Sequence, residues 1–323
     1  MSRAFFVRSY GGPEVMQLED RILDAPGPGQ IAIQNKAIGL NFVDTYQRSG
    51  LYATPLPFVA GNEGAGVVTA IGPDVTLWKV GDRVAYSGPP GAYADERLLP
   101  ADKAVPIPDG ISDEVAAAAL LKGTTAFYLL HWTYPVEAGQ TILVHAAAGG
   151  TGQMLTQWAH ALGARVIGTA GSDEKVAIAK ANGCAYAINY KTEDWVALVR
   201  EITDGHGVDV VYDGVGQATF EGSLDCLVKR GLMVSFGNAS GPVSIPKLGI
   251  LADKGSLYLT RPTAGAYFPT GTELREAAEA LFSTILAGHI KVSIDQTFAL
   301  ADAVKAHQAL ESRATTGQTL LLP

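Results

Sequence analysis

The sequence predicts an α/β protein with two domains, one β-rich and one built on a doubly wound parallel sheet. Three observations lead there. The chain has 323 residues, more than one hydrophobic core commonly serves. Residues 1–122 carry short apolar runs separated by Gly- and Pro-rich turns. After Gly139, apolar β-branched runs alternate with helical stretches, the pattern of parallel strands joined by crossover helices.

In chain order, strands are expected at residues 4–8, 17–20, 30–38, 64–71, 83–86 and 92–99, with a short helix over 42–49. The turns between them contain Gly11-Gly12-Pro13, Pro26-Gly27-Pro28-Gly29, Gly72-Pro73-Asp74 and Gly88-Pro89-Pro90-Gly91. Ser112 is an expected N-cap for a helix over 115–121, with a second helix over 123–134 stopped near Pro135. Six strands follow, at 141–145, 165–169, 187–189, 208–212, 232–236 and 256–260. A last helix over 273–287 and short strands then return to the first domain. This gives expected boundaries of 1–122 with 264–323 for the β-rich domain, and 123–263 for the parallel-sheet domain.

Hydrophobic residues make up 47% and charged residues 17%, so a large core is expected and disorder is not. The net charge of −8 argues against a general nucleic-acid or anionic-membrane partner. No apolar run approaches the ~20 residues of a membrane span. The opening MSRAFFVRSYGGPE has no long apolar stretch, so no secretory leader is expected. Two cysteines, Cys184 and Cys226, make no disulfide framework and read as reduced residues of a cytoplasmic protein.

Residues 141–175 form the segment with the clearest chemistry. An apolar strand enters the small-residue turn Ala146-Ala147-Ala148-Gly149-Gly150-Thr151-Gly152, and a helix to about Leu162, ended by Gly163, leads to a second strand. Ala147, Gly149 and Gly152 reproduce G-x-G-x-x-G spacing, with Ala at the first Gly. Such a turn lets the backbone approach a pyrophosphate at a helix N-terminus, so a dinucleotide is expected. The second strand ends in Thr169-Ala170-Gly171-Ser172, without the acid that would hold a ribose 2′-hydroxyl. Gly171, Ser172, Lys175 and Tyr190 suit a 2′-phosphate, which makes NADPH the expected cofactor. The competing reading makes Asp173 the displaced acid and Lys175 a solvated helix residue. His145, under the turn, reads as structural.

Further motifs accompany this turn: Asn41-Phe42-Val43-Asp44-Thr45-Tyr46-x-x-Ser49-Gly50, Gly81-Asp82-Arg83-Val84, Tyr212-Asp213-Gly214-Val215-Gly216, Ser235-Phe236-Gly237-Asn238 and Glu311-Ser312-Arg313-Ala314-Thr315. Together they resemble, over the whole chain, the zinc-free quinone oxidoreductases of the zeta-crystallin type within the medium-chain dehydrogenase/reductase family. The resemblance implies a GroES-like catalytic domain, a Rossmann domain, a cleft between them, NADPH, a quinone substrate and a homodimer. It also implies that Asn41 and Tyr46 line the nicotinamide end and that Gly149, Gly150 and Thr151 meet the pyrophosphate. By the same resemblance, Val215, Phe236, Gly237 and Asn238 lie against the cofactor at the ends of later strands, and Arg313 reaches back to it.

Metal-dependent members of that family hold zinc with Cys, a Gly-His-Glu motif and a second Cys. Here Asn41 stands near the first position and Gly61-Asn62-Glu63 replaces His with Asn. The six histidines show no paired metal spacing, and no metal is expected.

Without a metal, an already electrophilic acceptor such as a quinone suits hydride transfer. The protein then positions the reactants and supplies hydrogen-bond donors to a developing oxyanion. Asn41, Tyr46 and Tyr52 are the candidate residues of this half-site, with Tyr46 either donating a proton or hydrogen bond or only packing as a wall. Asp44 reads as a local hydrogen-bonding residue. Reduction of an activated C=C bond in an enone or enal fits the same residues, and an RNA-binding or structural role is a third reading. A homodimer is expected through residues 255–260 (GSLYLT) as an edge strand, with 243–251 either covering the seam or folding over its own sheet.

Overall fold

The computed structural model describes residues 2–323. The chain forms two compact units: one runs to Thr124 and includes Phe268–Ala287 and Val292–Pro323; the other comprises Thr125–Tyr267 and Gly288–Lys291.

The first unit opens with strands β1 (Ser2–Val7), β2 (Met16–Arg21), β3 (Gln30–Gly39), β4 (Phe58–Val59), β5 (Glu63–Ile71), β6 (Arg83–Ser87), β7 (Glu96–Pro100) and β8 (Ala104–Pro106). β1 lies between β2 and β4 in a small antiparallel sheet. Between β3 and β4 stands helix α1 (Phe42–Ser49), with the predicted bounds; Asn41 is its N-cap, and Gly50 ends it at φ 83°. The stretch expected as one strand at 92–99 is divided. Residues 92–95 run as a loop because the buried Asn35 side chain donates Nδ2–H to the carbonyls of Ala92 (3.1 Å) and Ala94 (2.7 Å), and pairing with β3 starts only at Glu96.

Helix α2 (Asp113–Phe127) starts where Ser112 Oγ accepts the N–H of Val115 at 3.2 Å. The expected division into helices at 115–121 and 123–134 does not occur. α2 runs through Gly123, because a Cβ there would meet the Leu281 side chain at 2.4 Å, and Gly permits that close packing. The helix then widens into a π-helical turn over Tyr128–Thr133.

The second unit contains β9 (Thr141–Val144), α3 (Gly150–Ala161), β10 (Arg165–Ala170), α4 (Asp173–Ala181), β11 (Tyr186–Asn189), α5 (Trp195–Ile202), β12 (Val208–Asp213), α6 (Phe220–Cys226), β13 (Leu227–Ser235), α7 (Ile250–Asp253), β14 (Tyr258–Thr260) and α8 (Ala264–Tyr267). Its six strands pair in parallel in the order β11-β10-β9-β12-β13-β14, the doubly wound sheet the alternation predicted. Strand order reverses beside β9, so the ends of β9, β10 and β12 meet where such sheets bind ligands. The core beneath them includes Leu143, Ile167, Val211, Phe220, Leu224 and Met233.

β13 begins five residues earlier than expected, and β14 two later. Leu257 is a core residue whose N–H donates to the Leu251 carbonyl at 2.9 Å, so it belongs to the turn before the strand.

The last part of the chain returns to the first unit through α9 (Gly271–Leu286), β15 (Ile294–Ala299), α10 (Ala303–Glu311) and β16 (Gln318–Leu322). α10 was not anticipated; the helix over 273–287 was expected to be the last. β16 pairs antiparallel with β3 and completes a sheet of order β15-β16-β3-β5-β6-β8, with β7 also on β3. Ile31, Ile33, Ile38, Val84, Tyr93 and Leu321 are among the buried residues of its core.

Candidate cofactor and substrate half-sites

In the second unit the expected nucleotide residues gather at the carboxyl ends of the parallel strands. The turn after β9 leads into α3 with Gly149 as N-cap, which has no side chain to occupy the helix end. A Cβ on Gly152 would lie 2.2 Å from the Ala146 carbonyl oxygen and 2.8 Å from Ala147 Cα, so backbone meets backbone there and only Gly fits. Gly150 and Thr151 form the first helical residues, where N–H groups point out of the helix end. His145 is buried with Nδ1 2.8 Å from Thr169 Oγ1 and Nε2 2.9 Å from Ser223 Oγ, which ties both ring nitrogens into the fold.

After β10, Ala170 is buried, and Ser172 caps α4 by accepting the N–H of Lys175 at 3.3 Å. A Cβ on Gly171 would lie 2.5 Å from the Tyr190 hydroxyl, so the phenol at the end of β11 covers this glycine. Gly171, Ser172, Tyr190 and the Lys175 backbone thus lie together at the ends of β10 and β11. The Asp173 carboxylate accepts Nδ2–H of Asn189 at 2.7 Å.

The loops after β12 and β13 touch: a Cβ on Gly237 would lie 2.2 Å from the Gly214 carbonyl, and the Phe236 ring lies 3.0 Å from where a Gly214 Cβ would be. A residue not singled out from sequence holds this crossing. Asp213 is fully buried and accepts the N–H of Val215 (2.7 Å), the N–H of Gly216 (3.1 Å) and the hydroxyl of Thr219 (2.7 Å). Asp-Gly at the end of an apolar run was the available signal. Val215, Phe236, Gly237 and Asn238 follow from that crossing.

In the first unit, Asn41, Tyr46 and Tyr52 share one region around α1. The Tyr46 and Tyr52 rings meet edge-on with centroids 5.2 Å apart, and the Tyr52 N–H donates to the Tyr46 carbonyl at 3.0 Å. Asn41 is buried and donates Nδ2–H to Glu63 Oε2 at 2.9 Å. Glu63, fully buried, also accepts the Leu121 N–H at 2.6 Å and the Lys122 ammonium at 3.3 Å. This fixed carboxylate turns the Asn41 amide, and sequence reading saw Glu63 only as part of an altered motif. Asn62 donates Nδ2–H to Asp44 Oδ1 (2.6 Å) and to Gln47 Oε1 (2.7 Å). Both asparagines therefore have their amide nitrogens engaged by protein oxygens. Among the described residues, no group of three His, Cys, Asp or Glu could hold a metal ion.

Asp44 is nearly inaccessible, and burial pushes its carboxyl up to about 6, opposed by the donors Asn62, Asn41 N–H and Tyr93. Arg313 also belongs to the first unit. It follows α10 in the left-handed conformation, φ 59°, and its N–H donates to the Leu310 carbonyl at 3.0 Å.

Comparison with known proteins agrees with this anatomy. A family model described as an alcohol dehydrogenase GroES-like domain matches residues 27–109, and one described as zinc-binding dehydrogenase matches 150–281. The chain is 53% identical to a quinone oxidoreductase of Pseudomonas aeruginosa, covering 100% of both. Among solved structures, a Pseudomonas syringae quinone oxidoreductase superposes with TM-score 0.98 at 53% identity, covering 100% of both chains. An Escherichia coli quinone oxidoreductase complexed with NADPH gives TM-score 0.98 at 50% identity, again covering 100% of both. The chain belongs to the zeta-crystallin-like quinone oxidoreductases of the medium-chain dehydrogenase/reductase family.

Proposed function

We propose that this protein is an NADPH:quinone oxidoreductase that works without a metal, its second unit holding the cofactor and its first the quinone. The observation that carries the cofactor choice is the end of β10. Ala170 is buried, Asp173 Oδ1 accepts from Asn189, Ser172 accepts the Lys175 N–H at the start of α4, and the Tyr190 hydroxyl covers Gly171. The strand tip carries no acid for a ribose 2′-hydroxyl, whereas the hydroxyls of Ser172 and Tyr190 and the Lys175 ammonium are donors of the kind a 2′-phosphate takes. The identity of about 50% over the full chain to quinone oxidoreductases supports the substrate class more than the enone alternative.

Bound NADPH supplies the hydride. Gly149, Gly150, Thr151 and Gly152 accommodate its pyrophosphate, while Val215, Phe236, Gly237 and Asn238 form the strand-end wall beside it. Arg313 contributes from the first unit. Asn41, turned by Glu63, lines the nicotinamide end. Tyr46 and Tyr52 present paired rings against a flat substrate, and the Tyr46 hydroxyl donates to the quinone oxygen as charge develops.

The test is steady-state NADPH and NADH oxidation with an ortho-quinone and with a simple enone. NADPH with the quinone is expected to be the fastest combination; faster enone turnover would reverse the substrate assignment. Lys175→Ala is expected to weaken NADPH binding by about 10–100-fold, the worth of one charge-assisted hydrogen bond, and to leave NADH within about twofold. Equal losses for both cofactors would remove Lys175 from the phosphate site.

We further propose a homodimer in the cytoplasm, joined at β14. That strand is the edge of the parallel sheet, and Tyr258 on it is 61% exposed, with Leu248 nearby in sequence 73% exposed. Val243, Ile245, Ile250 and Leu251 pack on the core of their own unit, which supports the reading that 243–251 covers its own sheet. The interface proposed here is therefore the strand edge with Tyr258. Light scattering at micromolar concentration is expected to give twice the 33.8 kDa chain mass, and Tyr258→Glu is expected to give the monomer. A wild-type monomer, or an unchanged dimer in the variant, rules out this interface.

A further inference from the structure

A buried hydrogen-bond chain links α10 to the helix that carries Asn41 and Tyr46. Arg48 is 2% exposed and donates Nη2–H to Glu311 at 2.6 Å and Nε–H to the Gly11 carbonyl at 3.2 Å. Its Nη1 lies 2.9 Å from His307 Nδ1. Across the ring, His307 Nε2 lies 3.0 Å from the Tyr93 hydroxyl, which lies 2.9 Å from Asp44 Oδ2. Tyr93 and His307 are fully buried.

The chemistry of the groups sets a single direction for the chain. A guanidinium has donors and no acceptor, so His307 Nδ1 accepts from Arg48. Burial first, and Arg48 second, push the His307 imidazolium down to about 3, so the ring is neutral and its one proton sits on Nε2. Nε2–H then donates to the Tyr93 oxygen, and the Tyr93 O–H is left to donate to Asp44. Every partner of Asp44 is a donor: Asn62 Nδ2–H, the Asn41 N–H at 2.8 Å, and Tyr93. A proton on Asp44 would face these donors, leaving at least one buried group unsatisfied.

We propose that Arg48, His307 and Tyr93 are positioning residues that hold Asp44 as a carboxylate acceptor and, through it, fix the Asn62 amide and the Asn41 backbone at the start of α1, where Asn41 lines the quinone half-site. Asp44 binds the backbone of Asn41 and the side chain of Asn62, so its charge state determines the geometry at the start of α1. Other charges act on the same cluster. Lys122 on α2 favours the Asp44 carboxylate; burial first, then Asp44 and last Glu63 on β5 raise the Tyr93 phenol, and Arg48 opposes that rise. Glu311, at the outer end, balances Arg48.

Because the kinetic effect rests on the quinone-reductase reading, the test has two readouts. Tyr93→Phe removes the O–H donor to Asp44. Its carboxyl, at about 6 in the parent protein, then titrates in the neutral range. Quinone turnover by the variant is expected to fall about tenfold from pH 8.5 to pH 6, more steeply than in the parent and with NADPH affinity at pH 8.5 preserved. An equal loss at every pH would overturn the proposal.

Thermal unfolding needs no substrate. An acid whose pKa is raised by folding contributes stability that is complete below its unfolded pKa and is lost as pH rises through the folded one. The deficit in Tm of Tyr93→Phe is therefore expected to grow between pH 5 and pH 8; a constant deficit overturns the proposal. If the parent turns over no quinone, the function is misassigned, and the unfolding result still decides. His307→Leu leaves the Tyr93 O–H on Asp44 but removes the donor behind it, so it is expected to show the same pH trend at smaller amplitude, and it replaces Tyr93→Phe should that variant not fold. His307→Gln, which offers one acceptor and one donor, is expected to restore the parent profile.

Discussion

Replacing Glu63 with alanine is expected to lower the stability of the first unit by about 3–5 kcal/mol, the usual cost of leaving a buried charge without its partner. Glu63 is fully buried, and the Lys122 side chain is 8% exposed. Removing the carboxylate leaves the ammonium, the Leu121 N–H and the Asn41 amide without the acceptor they share. The first two losses affect folding, and the third affects the orientation of Asn41. Chemical denaturation of the single variant and of Glu63→Gln with Lys122→Met separates them. The uncharged double variant is expected to recover most of the stability, since replacing both buried charges removes the desolvation cost. It is not expected to recover activity, because an amide at position 63 holds Asn41 more weakly than a carboxylate does. A denaturation midpoint for Glu63→Ala equal to that of the parent protein would show that the pair contributes nothing.

Gly152→Ala is expected to reduce NADPH affinity by about 100-fold, on the order of what losing one or two hydrogen bonds to a charged group costs. The new methyl group would stand 2.2 Å from the Ala146 carbonyl, and backbone on both sides leaves no side chain to swing away. Relief requires α3 to move from the end of β9, taking the N–H groups of Gly150 and Thr151 with it. Gly149→Ala provides the comparison. Its Cβ would meet the Ala146 oxygen at 3.3 Å, a contact a small shift relieves, so the loss should be much smaller. Titrating NADPH fluorescence against each variant measures both, and equal affinities for Gly152→Ala and the parent would refute the close-approach argument.

Sequence made the second unit legible because its signals are local. The spacing of Ala147, Gly149 and Gly152, the strand before them and the helix after them all lie within one short segment, and the structure joins them in that order. Capping chemistry likewise placed Ser112 before α2. Boundaries failed where a distant side chain decided them. Asn35 keeps residues 92–95 out of the strand, and Leu281 admits Gly123 into an unbroken helix. The polar interior of the first unit was not legible, since Arg48, Tyr93 and His307 are far apart in sequence and each alone has the look of a surface or core residue. Only pairing across the fold makes them a chain.

The pairing of β16 with β3 has a consequence for how the molecule is made. Leu320 lies opposite Gly39, so the end of β3 beyond its pairing with β7 waits for nearly the whole chain before its last partner exists. Residues 125–267 contain every strand of the parallel sheet and can close while translation is still under way. The nascent first unit spends that interval with the Ile38–Gly39 end of β3 open on one side, a short edge where wrong pairing can start. On this view vectorial synthesis makes the parallel-sheet unit the early folder, and the first unit becomes complete only when α10 and β16 have emerged.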